Sequence, residues 1–307
     1  MKVLITAGVA WTHSNRLAAI LYIEDDAPER LRKLEEHLAG VVDGSHLGNE
    51  RWSVRLTTNP THTEHRLHQM LCSDFDYQPC RGCCRGDSNH KRNCTEIHVI
   101  IEPQNEKGYL VVNIRSQDRP KLLFDTICAL SDANYAVFHA AIDSCREIAV
   151  QEYFIKPKHR DSGLIPETER EKLAQCVIAA IERRLANGVR LDVRAEDRMG
   201  MLADVTRAML ENGVSVSRAE FGRQGERAVG SFYVVDSSKP EIEVKPQVIE
   251  VVRKDIGSSM VRVNESPEWS PRSSVRDEGS SEKKHWSLAG LIWSHFANFS
   301  LNFRPFT

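Results

Sequence analysis

Several things are missing from this 307-residue chain, and each absence narrows what it can be. No stretch reaches the roughly 20 consecutive apolar residues that a helix needs to cross a bilayer. Charge of one sign is missing too: 41 basic residues stand against 43 acidic ones, a net of −2, so nothing in the balance calls for nucleic acid or an anionic membrane. No glycine-rich loop precedes a Lys-Ser or Lys-Thr pair, and no Gly-x-Ser-x-Gly turn is present, which leaves nucleotide hydrolysis and serine-elbow chemistry without their parts. The eight cysteines do not read as a disulfide framework. Cys128, Cys145 and Cys176 fall singly within or beside expected elements, where a thiol behaves as a small apolar group, so an intracellular, reducing location is expected, cytoplasm or nucleus.

What is present is a phrase spoken twice. Asp118-Arg119-Pro120-Lys121-Leu122-Leu123-Phe124-Asp125 returns 79 residues later as Asp197-Arg198-Met199-Gly200-Met201-Leu202-Ala203-Asp204. Each copy follows an alternating run, 110–115 or 189–194, and opens a stretch with apolar residues three and four apart, so each reads as a strand-to-helix turn. Two strands follow in each copy, 135–143 with 148–155 and 214–221 with 228–235, then a second helix, 167–184 or 246–255. A last strand is expected near 260–263. The order is the split βαβ arrangement of a ferredoxin-like α+β sandwich. Only one strand fits between the helix ending near Arg184 and the second phrase, so the first copy lacks a fourth strand of its own. A neighbour must cover that edge, or another segment must complete it, and tight side-by-side packing of the two copies is expected.

The beginning of the chain carries a third, partial copy. A strand pair over 2–12 and 17–23 precedes a helix over 28–39, and aligning Ile23 with Ile155 sets Gly8 opposite Ala140 without a gap. The first strand and helix of this copy are absent, so Met1 is expected to start inside a unit. The apolar run 3–10 reads as a strand rather than a secretory leader, because it is short and His13 and Arg16 follow it closely.

Each turn offers backbone N–H groups at a helix start that have no partner inside the helix. Such a start attracts an anion, and a small carboxylate suits it. The plainer reading is that Asp118 and Asp197 cap their helices while Arg119 and Arg198 face solvent. Pro120 gives up no needed donor at a first helical position, and Gly200 lets another group approach the backbone.

The phrase within a strand-helix-strand-strand-helix unit resembles the ACT domain, a regulatory module of amino-acid metabolism. Further phrases are similar to the plant ACT-domain-repeat proteins: Ala10-Trp11-Thr12-His13-Ser14, Arg66-Leu67-His68-Gln69-Met70, Lys121 to Asp125, Val137-Phe138-His139-Ala140 and Ala180-Ile181-Glu182-Arg183-Arg184. The resemblance implies four tandem ACT units without a catalytic domain, this chain beginning partway through the second. It implies intramolecular or homodimeric pairing of units, with an amino acid received where the first strand meets the first helix. Carried over, those positions are Asp118, Arg119, Pro120 and Leu122 in one unit and Asp197, Arg198, Met199, Gly200, Met201 and Leu202 in the other. Lys121 in place of Gly200 is expected to crowd the first turn, which favours the second. Bacterial uridylyltransferases end in similar ACT pairs but need a His-Asp metal dipeptide, and no histidine here precedes an aspartate.

The expected domains are a partial ACT unit at 1–42, a disordered inter-domain insertion with a Cys-rich loop at 43–107, ACT units at 108–187 and 188–264, and a disordered linker with a short amphipathic tail at 265–307. Within the insertion, 66–71 reads as helix, and His62, His65 and His68 at intervals of three could form a metal face or serve a structural or interface role. Cys80, Cys83, Cys84 and Cys94, with His90 and His98, could satisfy a four-ligand zinc site or lie in an unstructured, redox-labile loop. No cofactor is expected. The tail's Leu288, Leu291, Ile292, His295, Phe296 and Phe299 describe a short amphipathic helix that docks back on the sandwich or stays partly disordered, or else meets a partner or a membrane surface, its few basic residues favouring a protein over lipid. The expected function is a non-catalytic amino-acid sensor, and the alternative a ligand-free scaffold that dimerises or binds other proteins.

Overall fold

The computed structural model of the chain describes residues 4–14, 16–24, 27–43, 54–55, 57, 62–78, 97–145, 147–159, 165–185, 188–238, 244–257 and 260–264. The cysteine cluster Cys80, Cys83, Cys84 and Cys94 and the tail at 265–307 lie outside the described residues. No helix among the described residues is long and apolar enough to cross a membrane.

The repeat is visible as repeated structure. One copy runs β4 (Tyr109–Gln117), α3 (Leu122–Asp132), β5 (Tyr135–Cys145), β6 (Ile148–Pro157) and α4 (Glu167–Glu182). The other runs β7 (Val189–Glu196), α5 (Met201–Glu211), β8 (Val214–Gln224), β9 (Arg227–Asp236), α6 (Pro246–Ile256) and β10 (Val261–Asn264). Even the irregularities recur, because β5 shifts register between Val137 and His139 and β8 between Val216 and Arg218.

The first copy folds onto an antiparallel sheet of order β3-β4-β6-β5, in which β3 (His98–Gln104) lies within the segment expected to be an insertion. β3 pairs with β4 from His98↔Arg115 to Gln104↔Tyr109 and supplies the missing fourth strand, so the unit reaches upstream of the expected boundary at 107. Its Pro103, which cannot donate to a ladder, is tolerated on this outermost strand. Alternation along β4 and β6 turns Leu110, Val112, Ile114, Tyr153 and Ile155 toward Leu130 of α3 and Leu173, Val177 and Ile181 of α4.

The second copy belongs to a six-stranded sheet of order β10-β7-β9-β8-β1-β2. Here β1 (Leu4–His13) and β2 (Arg16–Glu24) form the N-terminal hairpin, and β1 adds to β8 with Gly8↔Phe221, Val9↔Glu220 and Ala10↔Ala219. Side-by-side packing is therefore realised between the C-terminal unit and the N-terminal hairpin, rather than between the two consecutive copies. The helix after the hairpin is α1 (Pro28–Asp43). Ala10 packs on the core shared by α5 and α6, and its neighbour Trp11 points through the opposite face. There α2 (Thr63–Ser73) covers it with Leu67 and Leu71, and α2 also touches α3 of the other unit. One short helix thus stands between the two sheets.

Gly188, at the entry to β7, holds φ +119 with room for no side chain: a Cβ there would lie 2.1 Å from the Val234 carbonyl oxygen. Gly188→Ala is expected to cost ~2 kcal/mol or more, from strain and from displacement of a backbone that cannot swing aside. A thermal melt unchanged from the parent would contradict this.

Candidate functional site

At the first phrase the chain leaves β4 and enters α3 through Lys121, whose φ is +65. Gly200 holds the equivalent place before α5 with φ +84. The pair shares a left-handed backbone, which glycine adopts freely and lysine at a cost. A Cβ on Gly200 would meet nothing within 4 Å, so the glycine serves the backbone angle rather than a close approach by the protein. Lys121 does not crowd its turn either, since its ammonium is drawn away to Glu64 of α2. Neither helix start has a side-chain cap. Asp118 and Asp197 do not cap; their backbone N–H groups donate to Glu147 and Glu226, and Asp197 is paired with Arg223 at 2.6 Å.

A cleft of about 230 Å³ opens at the first turn. Asp118, Arg119, Lys121, Leu122 and Leu123 form one wall, and Ile142 and Ser144 of β5 with Ala149 and Gln151 of β6 form the other. Two buried donors of these lining residues have no partner in the structure, the Gln151 amide nitrogen and the Arg119 Nε. Orphaned buried donors are rare in folded proteins and ask for an acceptor. The second turn is more open: Met199 is 74% exposed, and Arg198 reaches back over the surface to Asp204 at 2.6 Å. The sequence comparison favoured that turn, whereas the cleft lies at the first.

Behind the cleft runs a buried network. Arg119 donates to Asp125 Oδ2 at 2.7 Å and to the Ile181 carbonyl at 2.7 Å, so its guanidinium turns inward rather than to solvent. Asp125, fully buried, also accepts from Arg184 Nε at 2.9 Å and from His68 Nε2 at 2.9 Å. Arg184 reaches Glu64 at 2.9 Å and lies 4.7 Å from the ring centroid of Trp11. Arg183 grips Asp76 with two bonds of 2.7 and 2.6 Å and donates to His68 Nδ1 at 3.0 Å. That bond requires a lone pair on Nδ1, so His68 is neutral with its proton on Nε2. His13 of β1 bridges Asp76 at 2.8 Å and Glu182 at 3.3 Å. Five phrases noted separately in the sequence supply most of these residues; four of them meet here, and 137–140 does not.

The electrostatics follow from the contacts. Burial would raise the Asp125 carboxyl, but the His68 hydrogen bond and the Arg184 and Arg119 charges hold it down to about 2. Burial opposes ionisation at Asp76 and Glu64 as well, and His13 with Arg183, or Arg184 with Lys121, bring each to about 2. Burial pushes the His13 imidazole down, yet bonds to Asp76 and Glu182 win and leave it above 6.5. For His68 burial dominates, aided by Arg183 and Arg184, and its value falls below 6.5 despite Asp125.

The three histidines of α2 have structural partners: His62 accepts from the His65 N–H at the helix start, His65 bonds Asp132 at 2.8 Å, and His68 joins the network. Cys176 does not lie alone, because its thiol interacts with that of Cys72 of α2, which lowers the Cys72 thiol to about 7.

Tandem ferredoxin-like units with uncapped strand-to-helix turns, one of them extended at its edge by the N-terminal hairpin, define a protein of the ACT class. The ACT domain profile matches residues 189–257. The ACT domain-containing protein ACR1 of Arabidopsis thaliana is 38% identical over 321 residues, covering 98% of this chain and 66% of the relative. ACR3 of the same plant is 41% identical over 271 residues, covering 85% and 58%. Among solved structures, an unknown protein from Galdieria sulphuraria matches at 14% identity and TM-score 0.20, over 51% of this chain and 96% of that one. The chain belongs to the plant ACT-domain-repeat proteins, and it spans about two thirds or less of the lengths of these two relatives.

Asp125→Ala would strand two guanidinium cations, Arg119 and Arg184, and the His68 N–H in the interior, at a cost of ~3–5 kcal/mol read by chemical denaturation. The two histidines should pull in opposite directions with pH. With His68→Gln, the His13 contribution remains: it is complete below 6.5 and is lost as pH rises through its elevated folded value. With His13→Gln, the His68 contribution is complete above 6.5 and is lost as pH falls through its depressed one. Stability profiles of the same slope in both variants would contradict the assignment.

Proposed function

We propose that this chain is a non-catalytic amino-acid-binding regulatory protein, whose ligand carboxylate meets the uncapped start of α3. The observation that carries the reading is the cleft at that start, where α3 N–H groups without a side-chain cap stand on one wall and the unpartnered Gln151 amide nitrogen belongs to the other. A carboxylate satisfies both kinds of donor, and the helix dipole favours its charge. A cleft of about 230 Å³ suits a molecule of amino-acid size. The turn at Asp197, Arg198, Met199, Gly200, Met201 and Leu202 is the second candidate, with the same left-handed backbone at its helix start and an exposed Met199.

Regulation follows if ligand binds one arrangement better than another. Arg119 and Lys121 line the cleft and also hold Asp125 and Glu64, so a bound carboxylate stiffens the residues that dock α2. A second reading, a ligand-free dimerisation or protein-interaction scaffold, is favoured by the buried ion-pair network, in which protein groups alone tie α2 to the elements on both sides of it.

Melting shifts with each standard amino acid separate the two, as at least one should raise the melting temperature. Leu123→Glu sets a carboxylate at the cleft mouth where an acidic residue suits the second helical position, so the free protein should melt within about 0.5 kcal/mol of the parent while the shift disappears. Gly200→Asp should leave the shift intact. The opposite pattern would move the site to the second turn, and no shift with any amino acid would remove the sensor reading.

A further inference from the structure

Two cysteines from distant parts of the chain meet where α2 docks. Cys72 lies half-buried in the last turn of α2 and Cys176 lies buried in α4; both are free thiols, and they interact with each other. The meeting is framed on either side. His68 and Cys72 are four residues apart on one face of α2, and the turn that ends the helix carries Asp76 and Tyr77. Lys172 and Cys176 are likewise four apart on α4, and Arg183 falls seven residues further along the same face. At one end Arg183 holds His68 at 3.0 Å and Asp76 at 2.6 Å. At the other the Lys172 ammonium stands 5.9 Å from the Tyr77 ring centroid. Both contacts set the same two faces against each other, with the thiols between them.

The two thiols are not equivalent. Cys72 is the one a reagent can reach, and Cys176 foremost, aided by the Arg183 charge, favours its thiolate near neutral pH. Cys176 is shielded, and Cys72 together with burial pushes its thiol up. One sulfur is thus fitted to attack and the other to resolve.

The geometry points to a reversible modification site at Cys72 and Cys176: a small-molecule disulfide of the glutathione class oxidises the pair to an intramolecular disulfide that joins α2 to α4. The Cys72 thiolate attacks one sulfur of the small disulfide, forms a mixed disulfide and expels a thiolate, which takes up a proton from water. Cys176 then gives its proton to water and attacks the Cys72 sulfur, and the second small thiolate leaves and is protonated in turn. The protein loses two electrons and two protons, and the small disulfide gains them as two thiols; excess thiol reverses both steps. Because Leu67 and Leu71 of α2 cover Trp11 of the six-stranded sheet, the bond adds a covalent tie at the junction that the ion pairs hold. It needs no ligand in the cleft.

Peptide mapping of the folded full chain after treatment with oxidised glutathione is expected to show Cys72 linked to Cys176. The oxidised chain should melt about 5 °C or more above the chain kept in dithiothreitol. Cys72→Ser should abolish both the link and the rise with circular dichroism unchanged, while Cys128→Ser, in α3, should keep both. Cys176→Ser should stop at the first step, leaving one glutathionyl group on Cys72. Cys72 joined instead to another cysteine, a glutathionyl group that persists on Cys72 in the parent chain, or a link that forms no faster in the folded chain than in urea would overturn the inference.

Discussion

The arrangement depends on the buried carboxylate of Asp125. A charge stripped of water is tolerated only when opposite charges and hydrogen bonds replace the solvent on every side. Arg119 arrives from the turn before α3, Arg184 from beyond α4, and His68 from α2. Because each donor belongs to a different element, satisfying one carboxylate fixes three elements relative to one another. Arg184 extends the constraint to the other sheet by lying over Trp11, and Arg183 does so through Asp76 and His13. Hydrophobic contacts between Trp11, Leu67 and Leu71 hold α2 against the six-stranded sheet, and the ion pairs hold it against the four-stranded one. Area burial alone would not specify that orientation.

The two turns show how one motif was put to two uses. Arg119 to Asp125 and Arg198 to Asp204 are the same bond at the same spacing of six residues. In the first copy the bond is buried and draws in α2 and α4, while in the second it lies in water, where an ion pair contributes little. Lys121 belongs to this difference. It accepts a left-handed backbone that glycine would take without strain, and its ammonium gains Glu64. The first turn is thus rigid, walled and connected to the junction between sheets, whereas the second is open and unattached.

Much of this was legible in the residues. The alternation at 110–115 and 189–194, the apolar spacing after each turn and the repeated phrase located the strands and helices of both copies, since these signals are local. β3 was missed: its alternating His98–Gln104 contains Pro103 and follows the cysteine cluster, and its pairing with β4 is a tertiary fact. The sheet order was also out of reach, because nothing in 2–12 says that it will pair with 218–222 rather than with its nearer neighbour. Apart from the local Arg119–Asp125 bond, the network joins residues 57 to 169 positions apart, beyond any periodicity. A signal for it existed in the shared family phrases, several of which pair a charge with an aromatic or histidine. The opposition of Lys121 and Gly200 was likewise visible, and a common left-handed angle was the better inference than crowding.

The central claim is that the cleft at α3 and the docking of α2 are one coupled system. Hydrogen exchange across residues 63–73, with and without a saturating amino acid, tests it most directly. Ligand contacts the start of α3, so protection there reports binding alone; the account predicts that exchange in α2 slows as well, through Lys121, Glu64 and Asp125. Protection confined to the α3 start, with α2 exchanging as before, would contradict it.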